Sequence, residues 1–347
     1  MSDDTPAPTP HKRRPRYSGK NPRRFEDKYK EHNPERYAET VAKVIASGKT
    51  PAGMHVPIML DEIIEVLALQ PGERVVDCTL GYGGHAKALL QAVQPGGVLL
   101  GLDQDPMEIV KTEARLRAQG FPAESVLVRR MNFAGISRAL IEVGWVEGAD
   151  AVLADLGVSS MQIDNPERGF SFKHDGPLDM RMNPQRGLPA SEVLARASAA
   201  KLTEMLAENA DETRAAALAA ALAGRMIQRT RELAAMVRSA LPRGMAEDDV
   251  DATVRRVFQA LRIEVNDEFG ALDTWLRALP SSLRSGGRVA ALTFHSGEDR
   301  RVKKAFKAGL LDGTYSRIAD EVVRAGAEEL RLNPRASSAK LRWAVRS

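Results

Sequence analysis

Three short stretches of this chain hold residue types that can act on one ligand. Asp77-Cys78-Thr79-Leu80-Gly81-Tyr82-Gly83-Gly84-His85 joins an apolar run to a helical pattern. Glycines at such a junction let the backbone turn tightly and approach a ligand, while the helix N-terminus offers free N–H groups to a carboxylate or phosphate. Asp103 follows Gly84 by 19 residues and ends the next apolar run, a place from which a carboxylate accepts both hydroxyls of a ribose. Asp155 ends a later run, in Asp155-Leu156-Gly157-Val158-Ser159-Ser160. In open α/β sheets ligands sit outside the carboxyl ends of the strands, so Gly83, Asp103 and Asp155 should face one crevice. A nucleoside cofactor suits that trio, and both NAD and S-adenosylmethionine stay open. The loop lacks the strict Gly-x-Gly-x-x-Gly spacing of a dinucleotide site, which favours S-adenosylmethionine.

His295 and Ser296 follow another apolar run, residues 288–294. There they form a second orienting group at the same sheet edge, although a histidine at a strand end is often only a hydrogen-bonded structural residue. Six histidines and one cysteine without ligand-like spacing give no metal site.

The elements that position these residues read as strands alternating with helices. Strands are expected at 74–78, 98–103, 125–128, 151–155 and 288–294, with helices at 57–69, 85–93 and 107–118; such alternation indicates a parallel, doubly wound sheet. Between Asp155 and Arg288 lie far more residues than a strand–helix–strand unit of about 30 needs. The surplus reads as helical: Ser191 as a cap for a helix reaching Glu208, Thr230 as a cap for another, and one periodic stripe from Val254 to Leu276 whose last part returns to the sheet. The expected division is a basic disordered arm over 1–30, a first core segment over 31–165, an inserted helical substrate-recognition domain over 166–262 and a second core segment over 263–347.

The chain has 347 residues, 43% of them apolar, and a net charge of +4. Residues 1–50 hold 12 Lys/Arg against 7 Asp/Glu, so the basic character sits in the leader. Nine of those cations lie between His11 and Lys30, a composition suited to a solvated tail or to a flexible arm on RNA phosphates. A helix follows, marked by Tyr37, Val41, Val44 and Ile45. Cys78 is the only cysteine, no apolar run approaches the ~20 residues that span a bilayer, and the N-terminus has no secretory pattern; a cytoplasmic protein is expected.

Residues Glu167 to Met182 are polar, aromatic and glycine-containing without a period, the character of a functional loop. With this stretch the chain resembles the bacterial 16S ribosomal RNA cytidine-N4 methyltransferases. The matching segments are Met54 to Glu62, Gly83-Gly84-His85, Asp155 to Ser160, Glu167 to Met182, Phe258 to Asn266, Phe294-His295-Ser296 and Asn333-Pro334-Arg335. The resemblance implies a Rossmann-like class I S-adenosylmethionine methyltransferase core with an inserted α-helical domain. It implies a cofactor shell of Gly83, Gly84, His85, Asp103, Phe133, Asp155 and Gln162, with Phe133 beside the adenine. It also implies a cytidine substrate in the decoding region of the small subunit, as free RNA or assembled 30S subunit, and no membrane; oligomeric state is left open. The cytosine amine is a poor nucleophile, so an acceptor must draw on its N–H while it aligns with the methyl group, and Asp155 is the candidate. The base must be splayed out, with Phe170 or Phe172 to stack on it and Arg181 as a further substrate contact.

Four departures from the family pattern touch the substrate side. A Tyr-Gly-Glu-Glu-Arg segment is replaced by Asn209-Ala210-Asp211-Glu212-Thr213, and His-Ser-Leu-Glu-Asp-Arg by His295-Ser296-Gly297-Glu298-Asp299-Arg300, where Gly297 should add flexibility. The basic leader is read as an addition, and the region between Phe306 and Asn333 as shortened. The alternatives are a paralogue that methylates another RNA or DNA amino group, and a silent ribosome-assembly protein. Against a DNA enzyme, Asp155-Leu156-Gly157-Val158 lacks the Asp/Asn-Pro-Pro-aromatic motif.

Overall fold

The structure, a computed structural model, describes residues 57–347. The expected arm, the helix around Tyr37 to Ile45 and the segment Met54-His55-Val56 lie outside the described residues. A seven-stranded sheet runs in the order β3-β2-β1-β4-β5-β7-β6. Its first five strands are parallel: β1 Arg74–Asp77, β2 Val98–Asp103, β3 Val126–Arg130, β4 Ala149–Asp155 and β5 Leu283–Thr293. Two antiparallel strands, β6 Tyr315–Ile318 and β7 Lys340–Arg346, extend it beyond β5; they escaped the sequence reading.

The strands are apolar on both faces because both are covered. Val76, Leu100, Val152 and Ala291 face one core with α4 Ile136–Glu142, α11 Glu268–Ser282 and α12 Ser296–Leu311. Val75, Leu99, Ala151 and Ala290 face the other, with α1 Leu60–Leu67, α2 Gly84–Val93 and α3 Pro106–Arg117. Helix α4, seven residues long, is too short for its period to stand out in sequence.

Between β4 and β5 the chain builds α5 Ser160–Asp164 and then α6 Ala190–Arg196, α7 Ala199–Ala210, α8 Ala215–Leu222, α9 Thr230–Ala240 and α10 Glu247–Asn266. These helices bury a separate apolar cluster, with Leu194, Leu206, Leu218, Leu233 and Val257 fully enclosed.

Four expectations need correction. Ser191 caps nothing: α6 starts at Ala190 without a side-chain cap, and the helix ends before α7, which Ser198 caps through the Lys201 N–H. Thr230 is the first residue of α9 and not its cap, and its buried hydroxyl donates to the His174 carbonyl and accepts from Gly176 N–H, fastening the helix to the loop over 167–182. The stripe from Val254 to Leu276 is not one continuous helix but two, parted at Asp267, whose φ of 48° is left-handed. β5 begins at Leu283, because its polar residues Arg284, Ser285, Gly286 and Gly287 pair irregularly opposite Ala149 and hide the strand in the sequence.

Candidate active site

The carboxyl ends of β1, β2 and β4 each carry an aspartate: Asp77, Asp103 and Asp155. Strand β1 lies between β2 and β4, where the connection order reverses, and such a switch point opens a crevice.

The glycine turn forms one wall. Gly81 and Gly83 have φ of +45° and +85°, a conformation that favours glycine. Gly81 N–H donates to Asp103 Oδ2 at 2.7 Å, so the turn is tied to the end of β2. From α3, Thr112 Oγ1 donates to the Gly81 carbonyl and Arg115 to that of Tyr82. A side chain at Gly83 would meet Thr112 Cγ2 at 2.7 Å, and one at Gly84 would meet Pro57 Cγ at 2.7 Å. Packing within the protein therefore already demands glycine at both positions, in addition to any close approach of a ligand to their backbone.

Asp103 accepts Gly81 N–H on one oxygen and Asp105 N–H, at 2.8 Å, on the other. Lone pairs remain on both for a diol. Burial still pushes its pKa up to about 6, and that of Asp77 to about 6. In the sequence Asp77 reads only as part of the turn, although its place at a strand end, like those of Asp103 and Asp155, marks it as a site residue.

Asp155 is the most perturbed of the three. Burial, then the nearby Glu298 charge, raises its pKa to about 7. Its Oδ2 lies 3.5 Å from His85 Nδ1, and its Oδ1 is buried with no hydrogen-bond partner. His85 Nε2 is 3.0 Å from the Ile58 carbonyl, which can only accept, so Nε2 carries the proton. Burial holds the imidazole below its ordinary pKa, leaving Nδ1 as a lone pair toward Asp155. His85 does not cap its helix, since Gly83 occupies that place.

The three carboxylates at the strand ends, Asp77 buried and Asp103 and Asp155 half-buried, fit S-adenosylmethionine on this geometry. Asp77 Oδ2 and Asp155 Oδ1 are both buried and unpartnered, and a site that gathers unneutralised carboxylates favours a cationic ligand. Phe133 follows β3 in a short 3₁₀ turn, half-buried and edge-on to Trp275 at 6.2 Å. Gln162, in α5, accepts Ser159 N–H on Oε1 and donates from Nε2 to Asp105 Oδ2 at 3.1 Å, which leaves the amide a second N–H and a second lone pair.

On the β5 side, His295 Nε2 is 3.1 Å from Glu298 Oε1, and the ring leans on Phe269 at 5.7 Å. Burial works to raise the Glu298 pKa, but His295, Arg262 and the Phe294 N–H outweigh it and hold it low. Glu268, His295 and Glu298 bring ligating atoms together, yet Arg262 grips both oxygens of Glu268 at 2.8 Å. Ser296 faces away from this cluster, donating to Asp211 Oδ2 at 2.8 Å. Asp211 also accepts from Arg300 at 3.2 Å, so the altered helical segment meets the altered segment after β5. Gly297 leaves space and does not add flexibility: it is buried in α12, and a Cβ there would meet the Phe269 ring at 2.6 Å.

The substrate candidates separate. Phe170 is only 8% exposed, inside the helical core, which removes it as a stacking platform. Phe172 is half-buried against the Phe258 ring at 5.3 Å. Arg181 is folded onto Asp179, at 2.8 and 2.7 Å.

This strand order, with acidic residues at the parallel strand ends beside a glycine turn, defines a Rossmann-like class I S-adenosylmethionine-dependent methyltransferase core. The MraW methylase family model matches residues 52–347, and the chain belongs to that family. It is 48% identical to "Ribosomal RNA small subunit methyltransferase H 1" of Lachnoclostridium phytofermentans, over 97% of this chain and 93% of that one. It is 49% identical to the like-named protein of Agathobacter rectalis, over 97% and 98%. A more distant relative, "Ribosomal RNA small subunit methyltransferase H" of Solidesulfovibrio magneticus, is 40% identical over 84% of this chain and 95% of its own. The first two matches leave out only about ten residues of this chain, so they take in most of the leader. The leader is thus shared with those two relatives, while the family model begins only at residue 52, so relative to the family pattern it is an addition. An rRNA methylase from Streptococcus thermophilus, a solved structure, matches at 12% identity and a TM-score of 0.38 over 83% of this chain and 93% of that one.

Proposed function

We propose that the protein transfers the methyl group of S-adenosylmethionine to N4 of a cytidine in 16S ribosomal RNA near the decoding centre. The observation that carries the reading is the buried, unpartnered Asp155 Oδ1 in a crevice walled by the glycine turn and Asp103. S-adenosylmethionine supplies, when bound, an electrophilic methyl group on a positively charged sulfur. Gly83, Gly84, His85, Asp103, Phe133, Asp155 and Gln162 are assigned to hold it, Asp103 through the ribose.

Asp155 accepts one amine N–H of the cytosine, concentrating electron density on N4 as the N–C bond forms. The Asp155 carboxylate would take the proton that N4 gives up on methylation, so the amine leaves the exchange neutral. An acceptor raised to about 7 is ionised in a large share of molecules at neutral pH, yet basic enough to take that proton. His295, held by Glu298, borders the same edge as an orienting group, and Ser296 acts through Asp211. Phe172 and Arg181 are the substrate contacts that remain, on the helical part spanning 166–262, which would receive the RNA. The basic leader contacts phosphates, and the compartment is the cytoplasm. Among the described residues no helix is long and apolar enough to cross a membrane.

The test is incubation with labelled S-adenosylmethionine and, separately, small subunits, large subunits, free ribosomal RNA and DNA, with mass spectrometry of the modified nucleoside. N4-methylcytidine from small subunits or their RNA is expected. Label only in DNA, or none in any acceptor, would sink the reading.

A further inference from the structure

Arg168 makes contacts that neither the sequence motif nor the methyl-transfer chemistry requires. Its side chain is 11% exposed, and Nη1 donates to Asp105 Oδ2 at 2.8 Å. The second nitrogen, Nη2, donates to the carbonyls of Arg181 at 3.0 Å and Met182 at 2.9 Å. One guanidinium therefore joins the residue two places after Asp103 to the loop over 179–182. Asp105 is itself almost wholly buried, and its N–H donates to Asp103 Oδ1 at 2.8 Å. Gln162 reaches the same Asp105 oxygen, so two elements converge on one carboxylate.

The loop is held in a conformation that its residues do not favour alone. Met180 has a φ of +63° and is fully buried, which costs an unbranched non-glycine residue on the order of 1 kcal/mol. From the far side, Asn266 donates to the Met180 carbonyl at 2.8 Å and accepts Met182 N–H at 2.7 Å. Gln104, next to Asp103, lies 3.0 Å from Met182 Sδ. Arg168 and Asn266 thus clamp the loop between the end of β2 and the end of α10.

We propose that Arg168 is a positioning residue that couples occupancy of the methyl-donor crevice to the conformation of residues 179–188, the loop beside the substrate. The proposal rests on the reading that Asp103 binds the donor ribose. A ribose on Asp103 fixes the end of β2, Asp105 passes that order to Arg168, and Arg168 passes it to the 181 and 182 carbonyls. A lysine cannot make both connections, since its single ammonium lacks the planar fork. Methionine keeps the length of the side chain and removes every donor.

Limited trypsin digestion of the full chain, with and without S-adenosylmethionine, reads the coupling without RNA. Arg186 is exposed in this loop, and cleavage after it can be mapped by mass spectrometry. In the wild type, saturating donor is expected to slow that cleavage about fivefold or more, the low end of ordinary site-to-site coupling. In R168K and R168M the donor should slow it less than about twofold, while calorimetry still detects donor binding and melting curves stay cooperative. R168K guards against a methionine variant that fails to fold. Equal protection in the wild type and both variants overturns the proposal, as does a wild type that binds donor without protection. A wild type that binds no donor overturns it through failure of the methyltransferase reading instead, which the calorimetric arm reports separately.

Discussion

Asp155 holds one oxygen 3.5 Å from His85 and the other buried without a partner, and that environment has consequences on both sides of the proton balance. The folded protein keeps this carboxyl protonated to about pH 7, whereas the unfolded chain ionises it near 3.8. Between those values the folded state binds more protons, so the contribution of Asp155 to stability falls as pH rises from about 4 to 7 and then levels off. Turnover should run the other way, because only the ionised acceptor works. We expect kcat/KM for the donor to climb through about pH 7. The limb in kcat should lie at lower pH, because the bound sulfonium favours the carboxylate. Asp155→Asn should keep the fold, flatten the stability decline and lower kcat at least ~100-fold, with the rise in rate toward pH 7 abolished. A variant within a few-fold of wild-type turnover would remove Asp155 from the acceptor role.

The helices around β5 show how a departure from the family pattern is absorbed. Phe269, at the start of α11, sits where a side chain at Gly297 of α12 would project, and Arg301 stacks on the same ring at 3.6 Å. Restoring the family's leucine, Gly297→Leu, should cost about 1–3 kcal/mol by overpacking and displace the ring that His295 leans on. Because both changes compete for one volume, Phe269→Ala combined with Gly297→Leu should be less destabilised than the sum of the single variants by at least ~1 kcal/mol. Denaturant unfolding of the four proteins measures this, and strict additivity would show that the ring and residue 297 do not share the space. Asn266 sets a second such joint: it ends α10 and holds both Met180 and Met182. Asn266→Ala should lower stability by about 1–3 kcal/mol, seen as a lower Tm.

For the whole molecule, the sequence divides positive charge unevenly between leader and body, and the proposed role of the leader on RNA can be tested apart from the chemistry. Nine Lys/Arg lie between His11 and Lys30, while the rest of the chain carries almost balanced charge. Removal of residues 1–30 should therefore lower the slope of log affinity for RNA against log salt by roughly 3–6, with donor affinity unchanged. An unaltered salt slope would remove the arm from RNA binding. Donor binding to the crevice should also stabilise the fold by about 2.7 kcal/mol at a hundredfold excess over Kd, read as a rise in Tm.

Much of the architecture was legible because it depends on near neighbours. Continuous apolar runs such as Val98 to Leu102 announce strands covered on both faces, and the glycine turn and the aspartates at 103 and 155 announce the crevice. The same local logic failed where partners are remote. Ser191 and Thr230 have capping side chains, but Thr230 finds its partners at His174 and Gly176, and Phe170 has a stacking ring that the helical cluster encloses. The amino-acid order by itself determined the parallel core, the long helical segment before β5 and the acidic strand ends, since turn chemistry and hydrophobic period act over a few residues. Only the tertiary structure decided that Asp155 is desolvated toward a pKa of about 7, that Gly84 is required by Pro57, and that Arg168 spans to Asp105 across 63 residues. Desolvation and long-range hydrogen bonds depend on what packs around a group, and no local pattern encodes that.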